Sequence, residues 1–92
     1  MHKVIWRKSA EDDVAQITHY TNIERGHVQA GKLIEICEQA TNFLAESPKM
    51  GRQVRRNNVY VFTLTKVPFV ILYEINGSDI FINQVIHMRK RR

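Results

Sequence analysis

The spacing of hydrophobic positions changes twice along the chain, and each change marks a change of element. The opening stretch "HKVIWR" (residues 2–7) alternates weakly and is rich in β-forming residues, which predicts a short strand. Ser9 occupies an N-cap position, followed by Glu11, Asp12 and Asp13 in a first turn where the helix dipole favours negative charge. Ala10, Val14, Ile17 and Thr21 or Tyr20 then recur at spacings of three and four until "ERGH" breaks the pattern at Gly26. One apolar stripe of that kind predicts a helix of about 13–15 residues.

From His27 the helical period resumes and lasts longer. Ala30, Leu33, Cys37, Ala40 and Leu44 form a stripe, widened by Ile34, Ile36, Thr41 and Phe43, so this helix is expected to bury more than the first. Pro48 disfavours helical geometry at Ser47, and "SPKMGR" carries the chain across the surface. A break of only a few residues near Gly26 implies an antiparallel helical hairpin.

Beyond that loop the period shortens. "VYVFTLT" (59–65), "FVILYEI" (69–75) and "DIFINQVIH" (79–87) are rich in β-branched and aromatic residues, and Asn76-Gly77-Ser78 supplies a tight turn between the last two. Pro68 cannot donate a ladder hydrogen bond and belongs in the connection between the first two of these strands. The order is β-α-α-β-β-β, which predicts an α+β fold with the helical hairpin packed on one face of a largely antiparallel sheet.

Length and composition narrow the setting. Residues 1–92 are expected to form one domain with a single core, and 43% hydrophobic with 25% charged residues is ordinary for a folded soluble chain. The longest apolar run, Val67 to Tyr73, is far shorter than the roughly 20 residues of a membrane span. The charged start "MHKVIWRKSAEDD" lacks the apolar segment of a signal peptide, and the lone Cys37 has no disulfide partner within the chain. A cytoplasmic protein is therefore expected.

Charge divides the chain more sharply than its total of +5 suggests. Residues 1–48 carry five Lys and Arg against seven Asp and Glu, whereas residues 49–92 carry nine against two. The basic residues cluster at Lys49, Arg52, Arg55 and Arg56, and again at Arg89, Lys90, Arg91 and Arg92. Such clusters suit an acidic partner or a phosphate backbone, and they also suit a solvated rim.

Little else in the sequence has the spacing of a reactive centre. One cysteine and four histidines without ligand spacing argue against a metal site, and the four glycines sit singly, so no phosphate loop or cofactor is expected. Cys37 lies on the apolar stripe of the second helix, where a free thiol serves as a small hydrophobe. Trp6 and Tyr20 read as core or rim aromatics, because the sheet is too aliphatic for a base-stacking platform.

"SAEDDVAQITHY" after a short strand, "LAESPKMGR" at the end of a long helix and "PFVILYEINGSDIFINQVIHMR" near the terminus together resemble the RelE/ParE superfamily of toxins from bacterial type II toxin–antitoxin systems. The most specific pieces are the acidic start of the first helix, the loop Ser47, Pro48, Gly51, Arg52 and the ending Val85, Ile86, His87, Arg89.

The resemblance implies one of two activities. RelE-type members cut messenger RNA on the ribosome, using basic side chains on the middle strands and a tyrosine or histidine near the C-terminus. With Tyr73 as the shared tyrosine, the basic strand positions fall on Val61, Thr63 and Val70, none of which is charged. Only Arg89 matches a basic catalytic position, so the nuclease alternative rests on His87 and Arg89. ParE-type members, which inhibit DNA gyrase without a recognised hydrolytic site, resemble the chain more closely through "VIHMR". Where they carry an Arg-Glu pair, this chain has Phe62 and Thr63; Arg55 and Arg56 lie a few residues earlier.

The expectation is a ParE-like toxin neutralised by an acidic antitoxin in a hetero-oligomer. Arg52, Arg55, Arg56, His87, Arg89 and Lys90 are its candidate target- or partner-binding residues. A ribosome-dependent endoribonuclease and a non-catalytic remnant of the superfamily stand as alternatives.

Overall fold

The structure is a computed structural model and describes residues 1–54 and 58–88. Strand β1 (Lys3–Trp6) leads into helix α1 (Lys8–Arg25) and helix α2 (His27–Glu46). A 3-10 turn (Pro48–Met50) then precedes β2 (Arg52–Gln53), β3 (Val59–Thr63), β4 (Phe69–Asn76) and β5 (Asp79–His87). The sheet order is β1-β5-β4-β3-β2, with β1 parallel to β5 and every other pair antiparallel. The α+β arrangement expected from the periodicity is therefore present, with one strand more than predicted. Strand β2 has two residues, too few to display an alternation in sequence, and exists because Arg52 and Gln53 pair with Val61 and Tyr60.

The start of α1 also differs from expectation. Arg7 is the cap residue and makes no side-chain cap bond, and the helix runs for 18 residues. Of the three acidic residues at its start, only Glu11 falls in the first turn. Ser9 and Asp13 serve the sheet instead. Strands β4 and β5 slip register between Leu72 and Tyr73, which pair with Gln84 and Ile82, leaving Asn83 as the extra residue of a bulge. The Ser9 hydroxyl donates to the Asn83 carbonyl at 2.6 Å, and the Val85 amide donates to the Asp13 carboxylate at 2.9 Å. Backbone groups around a bulge need partners outside the ladder, and α1 provides them.

Gly26 joins the helices. Its φ of +90° lies in the region that favours glycine, and its amide still donates to the Asn22 carbonyl at 2.9 Å, so the chain reverses without an intervening loop. Along α2, the stripe Ala30, Leu33, Cys37, Ala40 and Leu44 is buried as its period requires, together with Thr41 and Ala45. Opposite it, Tyr60, Ile71, Tyr73, Ile80, Ile82 and Val85 fill the core, with Val4, Trp6, Val14, Ile17, Phe62, Phe69 and Ile75 packed at its margin. Burying a side chain such as Leu44 or Ile80 contributes about 1.5–3 kcal/mol. On α1 only Ala10 is fully buried, and Tyr20, expected in the core or at its rim, is 66% exposed.

Candidate functional site

Pairing partners in a sheet share a face, and alternate residues along a strand change face. The core residues Tyr73, Ile71, Ile80 and Ile82 define the face covered by the helices. The register then assigns Val59, Val61 and Thr63 of β3 to the opposite face, with Val70, Leu72 and Glu74 of β4 and Phe81, Gln84 and Ile86 of β5. No described helix covers that face. It is mainly apolar, with Thr63, Glu74, Asn76, Asp79 and Gln84 as polar exceptions.

Cations flank it at both edges, Lys3 among them through its pairing with Asp79. Arg52, exposed on the β2 edge, is in register with Val61 and so stands on this face. Arg7 follows β1 at the other edge, with its guanidinium 4.6 Å from the centroid of the Phe81 ring and 4.0 Å from the Glu74 carboxylate. Glu74 also accepts from the amide groups of Asn76 at 2.9 Å and Asn83 at 3.4 Å. Arg7, Glu74, Asn76 and Asn83 thus form a polar cluster beside the apolar rows. Nothing in the sequence signals it, because residue 7 meets residues 74 to 83 only through the parallel pairing of β1 with β5.

The candidate residues do not form one site. Arg52 lies on the open face, but His87 pairs with Phe69, whose side chain packs toward the core. The His87 and Phe69 rings meet edge to face, with centroids 5.1 Å apart and planes at 82°. His87 and Arg52 therefore sit on opposite faces of the sheet. Arg55, Arg56, Arg89 and Lys90 lie outside the described residues, as do Arg91 and Arg92.

The three strand positions that would carry cations in a nuclease do converge. Val61 pairs with Leu72, and Thr63 pairs directly with Val70, all on the face turned away from the helices, although Val70 itself is fully buried there. Their side chains are two isopropyl groups and a hydroxyl, so this patch offers no cation to phosphate. Phe62, on the helix side, packs against Phe43 with ring centroids 6.0 Å apart. Among the described residues no group of three His, Cys, Asp or Glu side chains could hold a metal ion. No helix among them is long and apolar enough to cross a membrane.

Tyr73 is an anchor rather than a reactive phenol. Its side chain is fully buried and stacks on Tyr60 at 5.5 Å. Its hydroxyl donates to the Pro48 carbonyl at 2.6 Å and accepts from the Gly51 amide at 3.0 Å. Burial pushes the phenol pKa up, and the Gly51 amide partly offsets this by stabilising the phenolate. The bond explains the Ser47-Pro48-x-x-Gly51-Arg52 loop. A Cβ on residue 51 would stand 2.5 Å from the Tyr73 hydroxyl oxygen and 2.9 Å from the Val61 carbonyl oxygen, so only glycine fits. Tyr73 thereby holds the loop that delivers Arg52 to the sheet edge. The sequence contained both halves of this device, but nothing in it joined residue 51 to residue 73.

Cys37 is a core thiol. It is buried on α2, and desolvation, followed by the nearby Glu38 charge, pushes its pKa up to about 11. A thiol so held is neutral near pH 7 and a poor nucleophile.

Comparison with known proteins identifies a family and a fold. A family model described as the ParE toxin of type II toxin-antitoxin system, parDE, matches residues 4–92. No curated protein matches the sequence. The chain is similar in structure to one from the chromosomal ParDE TA system from P. aeruginosa, with a TM-score of 0.82 and 21% identity over 95% of this chain and 96% of that one. It is also similar to a chain of the toxin-antitoxin complex RelBE2 from Mycobacterium tuberculosis, with a TM-score of 0.63 and 18% identity over 94% of this chain and 96% of that one. At such identities the two likenesses concern the fold.

Proposed function

Because the chain belongs to the family of ParE toxins of type II toxin–antitoxin systems, we propose that it acts in the cytoplasm by inhibiting DNA gyrase, and that an acidic antitoxin neutralises it. The observation that carries this reading is that Val61, Thr63 and Val70, the strand positions turned away from the helices, bear no charge. Cutting RNA by attack of a 2'-hydroxyl on phosphate develops negative charge that placed cations must stabilise, and loss of a single such donor typically costs on the order of 10²–10³ in rate. An inhibitor that works by binding has no such requirement.

The antitoxin reading draws on charge and apolar surface together. Nine basic against two acidic residues after position 48, beside an apolar sheet face flanked by Arg7 and Arg52, suit an acidic segment that is disordered alone and folds on the toxin. Neutralisation then takes the form of a stable hetero-oligomer. The antitoxin's apolar side chains meet the rows through Leu72 and Val61, and its carboxylates meet the rim.

Purified protein tests the target directly. It is expected to block supercoiling or trap cleaved DNA in an assay with purified gyrase, while messenger RNA in host cells stays intact as they filament. Position-specific cuts in ribosome-bound messenger RNA, preceding DNA damage, would overturn the proposal in favour of a nuclease using His87 and Arg89. Harmless expression without gyrase inhibition would mark an inactive remnant.

A further inference from the structure

A groove of about 510 Å³ opens between α1 and α2 beside the end of β1, on the helical side of the molecule and so away from the open sheet face. Its floor is apolar, formed by Trp6, Val14, Ile34 and Cys37. Ile34 remains 40% exposed, unusual for an isoleucine on the inner helix of a hairpin.

The charge on its lips points to the chemistry of an occupant. Glu11 on α1 and Glu38 on α2 stand exposed on opposite lips, and neither joins an ion pair among the described residues, where the pairs are Arg7 with Glu74 and Lys8 with Asp12. Thr18, also in the wall, has a buried hydroxyl that meets no hydrogen-bond partner among the described residues. That oxygen is closed to solvent, so it bears on the packing of α1 and not on what occupies the groove.

We propose that this groove is a second docking site, taking an apolar side chain flanked by lysine or arginine from a partner protein. The apolar side chain fills the floor between Trp6 and Ile34, and the cations pair with Glu11 and Glu38. The site suits a basic segment, whereas the opposite face of the molecule suits an acidic one. A chain so divided can hold two partners of opposite charge at once. The inference does not depend on the gyrase reading.

The chain's single tryptophan, Trp6, lines the groove and reports on it by fluorescence. Three capped tripeptides, Lys-Phe-Lys, Ser-Phe-Ser and Glu-Phe-Glu, isolate the effect of charge. Lys-Phe-Lys is expected to change Trp6 emission saturably, Ser-Phe-Ser to bind about tenfold more weakly, and Glu-Phe-Glu not to bind. In a Glu11→Gln, Glu38→Gln variant, whose changes are exposed and spare the fold, the three affinities should converge.

Three results would overturn the proposal. One is the absence of a saturable response to Lys-Phe-Lys, or equal binding of all three peptides to the unaltered protein. Another is phenethylamine binding as tightly as the peptide, which makes this a small-amine site. The last is self-association of the protein alone, displaced by the peptide, which puts a second copy in the groove.

Discussion

Replacing Tyr73 with phenylalanine removes one oxygen from the core and nothing else. The ring keeps its place against Tyr60, 5.5 Å away, so no cavity opens. Two bonds vanish together: the Gly51 amide loses its acceptor and the Pro48 carbonyl its donor. A buried group left without a partner costs about 1–3 kcal/mol. Pro48 and Gly51 are only half-buried, and water can reach part of the vacated hydrogen-bonding capacity. A net loss of about 2 kcal/mol is expected for the two groups together. For a domain of about this size, 1 kcal/mol moves the melting temperature by about 4–5 °C, so Tyr73→Phe should melt about 8–10 °C lower. Calorimetry and urea unfolding measure the loss, and the urea slope should not change, because the same surface is exposed on unfolding. Native-state hydrogen exchange localises it: the Gly51 amide should lose protection while amides of β5 keep theirs relative to the new global stability. A melting point within about 2 °C of the parent, or undiminished protection at Gly51, would refute the assignment of Tyr73 as the loop's anchor.

The other expectations concern separate parts of the fold. Asp13→Ala strips the Val85 amide of its acceptor beside the bulge and should cost about 1–3 kcal/mol in chemical unfolding, whereas Asp13→Asn, which keeps an acceptor oxygen, should cost less. The raised thiol pKa of Cys37 makes folding stability fall with alkali. Below the ordinary value of 9.0 the thiol is protonated in both states; above it the unfolded chain loses the proton first, so stability declines until pH about 11, and Cys37→Ala should remove that component of the decline. The sign is set by the folded state holding the extra proton, and unfolding curves between pH 8 and pH 11 would show it. Arg89→Glu is expected to abolish toxicity in a host while leaving the melting temperature unchanged, and full toxicity of that variant would reduce the basic end to a solvated tail.

Local chemistry determined much of this molecule from the sequence alone. The three-and-four spacing of Ala30, Leu33, Cys37, Ala40 and Leu44 could satisfy only an amphipathic helix, and those five residues are buried. Gly26, Pro68 and Asn76-Gly77 marked the breaks between elements, because the backbone geometry at such positions depends on the residue itself. The missing charges at Val61, Thr63 and Val70 were also legible in the sequence. That these three positions share one face follows from strand register, and the structure supplied that register.

Contacts between distant segments were decided by tertiary structure. Ser9 and Asp13 carry the local signature of a helix start, yet a bulge more than 70 residues away engages both, and α1 begins at Lys8 without a side-chain cap. The two-residue β2 has no periodicity of its own and depends on β3 for its hydrogen bonds. Arg52 and His87 seemed alike as polar residues near a basic region, but register sends one to the open face and the other against Phe69. Helix period and turn preference act within a few residues, so they can be read along the chain. The pairing of β1 with β5, the bond from Tyr73 to the Gly51 loop and the groove between α1 and α2 depend on how whole elements pack, and no short stretch of sequence contains that information.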